Sequence, residues 1–341
     1  MEQTILGCTG LKVSRSGFGS IPIQRISFED AKLLLRKAYD NGINFFDTAR
    51  AYTNSEEKIG YALSDVRANI VLATKSGATT KKELFAHLET SLKNLKTDYI
   101  DIYQLHNPSV LSDPNDPDSA YAGVLEAKQK GMIRFIGITQ HSKDNALMAI
   151  KSGLYDTLQY PFSMLSSEED LALAQECKRA NMGVIAMKAL AGGLITNAAA
   201  AFAFLRQYEQ IVPIWGIEKM QQLDEFLTYE SNPPMIDEAM QAVIEKDRKE
   251  LTGSFCRACG YCLPCPVGIQ IPTAARICLL LRRMPYEQFM TAESKEQMDL
   301  VKGCLHCGAC SAKCPYGLDI PNLLKEMYAQ YKVLYEKYSQ R

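Results

Sequence analysis

The stretch "SFEDAKLLLRKAYDNGINFFDT", at residues 27–48, joins a helix pattern directly to a strand pattern. Its first serine can cap a helix, acidic residues occupy the first turn, apolar residues recur at helical spacing, and Gly42 closes the helix. The apolar and aromatic run that follows predicts a short buried strand. A helix that leads into a buried strand is the repeating unit of parallel α/β folds.

The same alternation continues from residue 13 to about residue 229 and predicts eight parallel strands. They are "SRSGFG" (14–19), "INFFDT" (43–48), "NIVLATK" (69–75), "YIDIYQLH" (99–106), "IRFIGIT" (133–139), "YDTLQY" (155–160), "GVIAMKAL" (183–190) and "IVPIWG" (211–216). No G-x-G-x-x-G motif follows any of these strands, which argues against an open dinucleotide-binding sheet. Eight β/α units in roughly 220 residues favour a closed (β/α)8 TIM barrel, an α/β fold.

The alternation stops at Pro233 and Pro234, and the last hundred or so residues have helix patterns around two cysteine-rich loops. The chain of 341 residues also exceeds the roughly 250 residues of a usual barrel. We therefore expect a barrel domain at residues 1–230 and a small α-helical metal domain at residues 231–341.

Composition excludes several classes of partner. The formal net charge is −1 and no lysine-rich or arginine-rich tract is present, so neither nucleic acid nor an anionic membrane surface is an expected partner. The first 25 residues lack a signal pattern, and the longest apolar run, at 198–205, is far shorter than the ~20 residues of a membrane span. We expect a cytoplasmic protein.

Eight of the eleven cysteines lie in "FCRACGYCLPCP" (255–266) and "GCLHCGACSAKCP" (303–315). A reducing compartment would keep them as thiols that are available to bind metal. The other three cysteines, Cys8, Cys177 and Cys278, are expected to be small buried hydrophobic residues.

The two cysteine motifs repeat the pattern of bacterial two-cluster ferredoxins, in which the last cysteine of each motif ligates the other 4Fe-4S cluster. The predicted ligands are Cys256, Cys259, Cys262 and Cys314 for one cluster, and Cys304, Cys307, Cys310 and Cys265 for the other. The first motif departs by having two residues, not three, before its last cysteine. Zinc is the alternative, since two C-x2-C pairs also make a tetrahedral site, but a third cysteine followed by Cys-Pro favours iron-sulfur. The clusters could transfer electrons or only brace a small domain.

Four polar residues mark the carboxyl ends of consecutive barrel strands, where catalytic groups of this fold lie. Asp47 ends the second strand, Tyr52 lies five residues beyond, Lys75 ends the third strand and His106 ends the fourth. An ammonium group lowers the pKa of a nearby phenol, and a carboxylate holds the ammonium in place. The set predicts Tyr52 as a general acid and His106 as the group that orients a carbonyl.

These residues carry a resemblance to a known family. Residues 42–63, 71–77 and 91–108, with the opening stretch 6–20, are similar to the aldo/keto reductases, and the likeness extends over about residues 4–229. The resemblance implies a barrel whose Asp, Tyr, Lys and His tetrad reduces carbonyls with a nicotinamide cofactor. With its C-terminal extension, the chain resembles an iron-sulfur branch of that family, which carries a two-cluster, ferredoxin-like 4Fe-4S domain.

The resemblance also implies cofactor contacts. Thr139, Gln140 and Gln159 would hold the nicotinamide carboxamide, and an acid at Glu218 leans toward NADH over NADPH. Met187 and Lys188 replace the aromatic residue and serine often found after the seventh strand. The full set of expected contacts is Gly19, Ser20, Thr139, Gln140, Gln159, Met187, Lys188, Gly216, Ile217, Glu218 and Gln222.

The expected function is that of an NAD(P)H-linked oxidoreductase, which interconverts a small-molecule carbonyl and alcohol. Its two 4Fe-4S clusters would exchange electrons with an external carrier such as ferredoxin. The sequence has no flavin motif that could split a hydride into single electrons, and whether a flavin is present stays open. The alternative is a non-catalytic nucleotide-binding module whose clusters relay electrons or are structural.

Overall fold

The computed structural model of the protein describes residues 1–251, 255–283 and 286–338. The chain divides into two compact units. The first comprises residues 1–189 and 199–240, and the second comprises residues 190–198 and the described residues after 240. The division at residue 230 stays a prediction, and the loop after the seventh barrel strand groups with the second unit.

The first unit is built on a closed barrel of eight parallel strands. An antiparallel hairpin, β1 (Gln3–Ile5) and β2 (Lys12–Ser14), precedes the barrel. The barrel strands are β3 (Gly17–Gly19), β4 (Phe45–Asp47), β5 (Val71–Ser76), β6 (Ile100–His106), β7 (Ile133–Thr139), β8 (Thr157–Pro161), β9 (Gly183–Met187) and β10 (Ile211–Gly216). They are ordered as in the chain, and β10 pairs with β3 to close the barrel. The predicted TIM barrel is confirmed.

Helices follow the barrel strands along the chain. They are α1 (Phe28–Asp40), α2 (Ser55–Leu63), α3 (Lys81–Leu95), α4 (Ala120–Gln129), α5 (Lys143–Ser152), α6 (Glu168–Arg179), α7 (Ala198–Arg206) and α8 (Met220–Ser231). Helix α1 begins as its sequence predicts, because the Ser27 side chain accepts a hydrogen bond from the Asp30 amide. Helix α9 (Glu238–Leu251) leads out of the first unit.

The second unit is helical, as predicted. Its further helices are α10 (Ile271–Ala274), α11 (Ile277–Arg283), α12 (Ala292–Asp299), α13 (Ala309–Ala312) and α14 (Ile320–Tyr338). Apolar side chains such as Ile271, Ile320 and Tyr331 form its core, together with Cys256 and Cys262. Within the described part of the chain, no helix is long and apolar enough to cross a membrane.

Two sequence predictions need correction. Cys177 and Cys278 are buried as expected, but Cys8 is exposed. Cys8 lies in a short turn at the end of β1, where its sulfur is 3.6 Å from the Asp156 carbonyl oxygen. The seventh strand was predicted to reach Leu190 and ends at Met187, because Lys188 adopts a φ of 60° that a strand cannot continue through.

Candidate active site and cysteine repeat

The four predicted catalytic residues lie at the carboxyl ends of three neighbouring strands. Asp47 is the last residue of β4, Lys75 is the last but one of β5, and His106 is the last of β6. Tyr52 lies in the loop between β4 and α2. Since β4, β5 and β6 are adjacent and parallel, their ends share one rim of the barrel, and the structure brings all four side chains together there.

Lys75 is the centre of this group. Its ammonium donates hydrogen bonds to Asp47 Oδ1 at 2.5 Å and to the Thr48 carbonyl oxygen at 2.7 Å, and it lies 5.3 Å from the centroid of the Tyr52 ring. Both members of the ion pair are buried. Burial raises the pKa of Asp47 and lowers that of Lys75, while their contact opposes both shifts. Asp47 therefore helps to keep Lys75 cationic.

His106 completes the group on the other side of Tyr52. The two ring centroids are 6.1 Å apart and the rings meet edge to face. Burial, with a smaller contribution from the Lys75 charge, lowers the pKa of His106 to about 3. The imidazole is therefore neutral near pH 7 and carries one N–H that can donate a hydrogen bond to a substrate oxygen.

Gln104 is a residue of this site that the sequence analysis missed. Its amide nitrogen donates to Asp47 Oδ2 at 3.2 Å and to Gln159 Oε1 at 2.9 Å, and the whole side chain is buried. Gln104 thus joins the ion pair to a predicted cofactor contact. The available signal was a polar residue two positions before His106, which places both side chains on the same face of β6.

Three of the predicted cofactor contacts have buried oxygens that form no hydrogen bond within the described residues. They are Thr139 Oγ1, Gln140 Oε1 and Ser20 Oγ. Gln140 is held in place from its other end, since its amide nitrogen donates to the Pro108 carbonyl oxygen at 2.9 Å. Buried polar atoms without partners cost free energy, so a ligand that supplied a donor and an acceptor would be stabilised here. A carboxamide group has both.

Four other predicted contacts lie at or just after the ends of β3, β9 and β10: Gly19, Met187, Gly216 and Ile217. A side chain on Gly19 would place its Cβ 3.2 Å from the carbonyl oxygens of Ile214 and Trp215, so the strand ends approach closely there. Gly216 ends β10 and is exposed, whereas the Ile217 side chain is buried. Met187, at the end of β9, is partly exposed.

Glu218 and Gln222, at the start of α8, form an ion pair and hydrogen bonds within the protein. Glu218 forms an ion pair with Arg25 at 2.6 Å, and the Gln222 side-chain oxygen accepts from the Glu218 and Lys219 amides at 3.0 Å each. Because Arg25 offsets the charge of Glu218, the acid by itself gives no reason to prefer NADH over NADPH.

The two cysteine motifs share several backbone features. Left-handed φ values occur at three matching positions: Ala258 with His306, Gly260 with Gly308, and Gly268 with Gly317. Hydrogen bonds match as well, from the Gly268 amide to Cys265 O at 2.9 Å and from the Gly317 amide to Cys314 O at 3.2 Å. The internal repeat seen in the sequence is therefore also a structural repeat.

The cysteine sulfurs are grouped within these loops. Burial and the nearby Cys256 and Cys259 sulfurs raise the pKa of Cys262 to about 12. Thiolates this close together need a cation to offset their charge. The four cysteines assigned to the second cluster line one cavity with Cys262; they are Cys265, Cys304, Cys307 and Cys310.

Within residues 1–251, 255–283 and 286–338, no group of three or more His, Cys, Asp or Glu side chains could hold a single metal ion. A 4Fe-4S cluster does not need such a group, because each of its four cysteines binds a different iron. The Ala258 amide donates to Cys256 Sγ at 3.4 Å, a contact that stabilises a thiolate. The repeated loops contain eight cysteines, the number that two 4Fe-4S clusters require.

Comparison with known proteins gives two family matches. The model of the aldo/keto reductase family matches residues 15–201, more than half of the chain. The chain belongs to the aldo/keto reductase family. Residues 255–319 match the model of the 4Fe-4S dicluster domain, so this aldo/keto reductase has a dicluster domain after its barrel.

Similar proteins include other oxidoreductases. L-galactose dehydrogenase of Arabidopsis thaliana is 33% identical over 58% of this chain and 68% of its own length. Aldo-keto reductase YhdN of Bacillus subtilis is 32% identical over 58% of this chain and 64% of its own length. Among solved structures, the holo form of aldo-keto reductase AKR11C1 from Bacillus halodurans is similar in fold, with a TM-score of 0.64 and 21% identity over 72% of this chain and 96% of its own. The family match and these two relatives make the chain an oxidoreductase of the aldo/keto reductase type, and the solved structure supports the fold.

Proposed function

We propose that the protein is an NAD(P)H-dependent reductase that interconverts a small carbonyl compound and its alcohol. The observation that carries the proposal is the position of the Lys75 ammonium, between Asp47 Oδ1 and the Tyr52 ring and beside the neutral His106. Bound NAD(P)H would supply the hydride that attacks the carbonyl carbon. The buried oxygens of Thr139 and Gln140 support a carboxamide-binding role for these residues.

Tyr52 is the proton donor in this proposal. Its hydroxyl gives a proton to the carbonyl oxygen, and the nearby Lys75 cation stabilises the phenolate that is left. Asp47 keeps Lys75 charged, and Gln104 positions both Asp47 and Gln159. The His106 N–H donates a hydrogen bond to the same carbonyl oxygen and orients it.

The test of catalysis is the variant Tyr52→Phe. We expect it to lose carbonyl reduction across a panel of aldehydes and ketones while it still binds the nicotinamide cofactor and keeps its iron. Tyr61→Phe is a matched control, because Tyr61 is a partly exposed tyrosine on α2 whose hydroxyl contacts Glu29. Full activity in Tyr52→Phe would overturn the proposal. Nucleotide binding by the wild-type protein without any turnover would support the non-catalytic alternative.

We propose further that the clusters transfer single electrons to and from an external carrier such as ferredoxin. The support is the repeated pair of ligand loops, since one cluster would suffice to brace a small domain. The measurement is an EPR spectrum of the anaerobic protein after addition of NADH or NADPH without substrate. Signals of reduced 4Fe-4S would connect the barrel chemistry to the clusters. If the clusters give no EPR signal and carbonyl turnover proceeds without them, their role would be structural.

A further inference from the structure

Arg276 is a buried cation in the second unit that neither proposal uses. It lies between α10 and α11 and is only 8% exposed. Its guanidinium donates to two backbone oxygens, Pro272 O and Gly192 O, at 2.9 Å each. No carboxylate of the described residues pairs with it. A buried charge without a counter-charge is strongly unfavourable, so an anion is expected close by.

The neighbour of this guanidinium is the first cysteine motif. Both groups pack against Gly192. A Cβ atom added to Gly192 would lie 3.2 Å from Arg276 Nη1 and 3.2 Å from the carbonyl oxygen of Arg257, the residue that follows Cys256 in the chain. Burial lowers the pKa of Arg276, and a thiolate at Cys256 would oppose that shift. Cys256 is itself buried. The guanidinium and the thiolate therefore share one site of low water content.

The second cysteine motif lacks this feature. The two motifs continue alike through Ile271-Pro272 and Ile320-Pro321, and the residue four positions after each proline is Arg276 in the first repeat and Lys325 in the second. Lys325 is exposed. Water screens an exposed charge, whereas a buried one acts at full strength. Of these two matched positions, only the one in the first repeat therefore carries a buried cation.

We propose that Arg276 is the counter-ion of the 4Fe-4S cluster that Cys256 helps to hold, and that it raises the reduction potential of this cluster. One-electron reduction makes a cluster and its four thiolates one charge more negative. A fixed cation in a dry site stabilises that reduced state, because net charge near the sulfurs sets the potential. The proposal rests on the assignment of Cys256 as a cluster ligand.

The test is a redox titration of the whole protein, followed by EPR, with iron content measured alongside. In Arg276→Gln we expect both clusters to remain and the midpoint potential of one cluster to become more negative. That cluster should be the one whose EPR signal is lost in Cys256→Ala. Arg276→Lys keeps the charge and should return most of the way to the wild-type potential. Lys325→Gln is the matched control and should leave both potentials near those of the wild type.

Two results would overturn the proposal: wild-type potentials in Arg276→Gln, or a shift in Arg276→Lys as large as in Arg276→Gln. If Arg276→Gln loses the cluster altogether, retention of both clusters in Arg276→Lys supports the counter-ion, and loss there too refutes it. Failure of the ligand assignment looks different, because Cys256→Ala would then keep all its iron.

Discussion

At the scale of single residues, the ion pair of Asp47 and Lys75 predicts how the reaction depends on pH. Burial lowers the pKa of Lys75 and Asp47 opposes that shift, so Asp47→Asn should lower the pKa of Lys75 further. In the proposed mechanism the active form has a charged lysine, so activity should be lost as pH rises through that pKa. The basic limb of kcat/KM against pH should therefore move to lower pH, as steady-state kinetics across the pH range would measure.

The control for this change is Asp65→Asn, which removes an exposed carboxylate paired with Arg36. It should leave the pH profile in place. A uniform loss of activity in Asp47→Asn with an unmoved basic limb would mean that Asp47 does not act through the charge of Lys75.

At the scale of elements, helix α2 holds the loop that carries Tyr52. Glu56, in the first turn of α2, is 1% exposed and forms an ion pair with Arg50 of that loop. The Arg50 amide in turn donates to Lys75 O at 2.9 Å. The remaining donors to the Glu56 carboxylate are Thr74 Oγ1 on β5 and Ser91 Oγ and Asn94 Nδ2 on α3.

Glu56→Gln should disrupt the contacts of Glu56 with the loop, β5 and α3. The carboxylate only accepts hydrogen bonds, whereas the amide that replaces it also carries an NH2 group that has to donate. Because the Arg50 side chain left behind is 23% exposed, we expect a loss of about 1–3 kcal/mol in the free energy of unfolding, the cost of leaving buried polar groups unsatisfied. Chemical denaturation should measure a loss of that order, together with weaker catalysis as the Tyr52 loop shifts. Asp65→Asn, from an exposed pair, should change stability little. Equal losses in both variants would refute the role of burial.

The sequence was sufficient to predict the barrel and the position of four polar residues at its rim, because both follow from local patterns. Strand residues are apolar, and the polar residue that ends each run marks the rim. Gln104 and Arg276 were missed because their importance depends on partners far along the chain, at Gln159 and Gly192. Cys8 was misjudged for a related reason: a small apolar residue is buried only if a neighbouring element covers it.

At the scale of the whole molecule, the repeat predicts that its two halves exchange ligands. Cys265 ends the first motif, yet it lines the same cavity as Cys304, Cys307 and Cys310 of the second. The first motif is one residue shorter before this cysteine, but the following turns match, as the amides of Gly268 and Gly317 show. Each cluster would then need both motifs, so neither motif could bind a complete cluster alone.

Paired cysteine variants test this exchange. Cys265→Ala and Cys307→Ala should each lose about half of the iron, because each variant removes one of the four cysteine ligands of a cluster and so loses one of the two clusters. The double variant should lose no more than either single one, because both residues would ligate the same cluster. Cys265→Ala combined with Cys259→Ala should lose nearly all of the iron, because one residue comes from each cluster. If the motifs kept their own last cysteines, the outcomes of the two double variants would be reversed, and iron per protein with EPR would distinguish the cases.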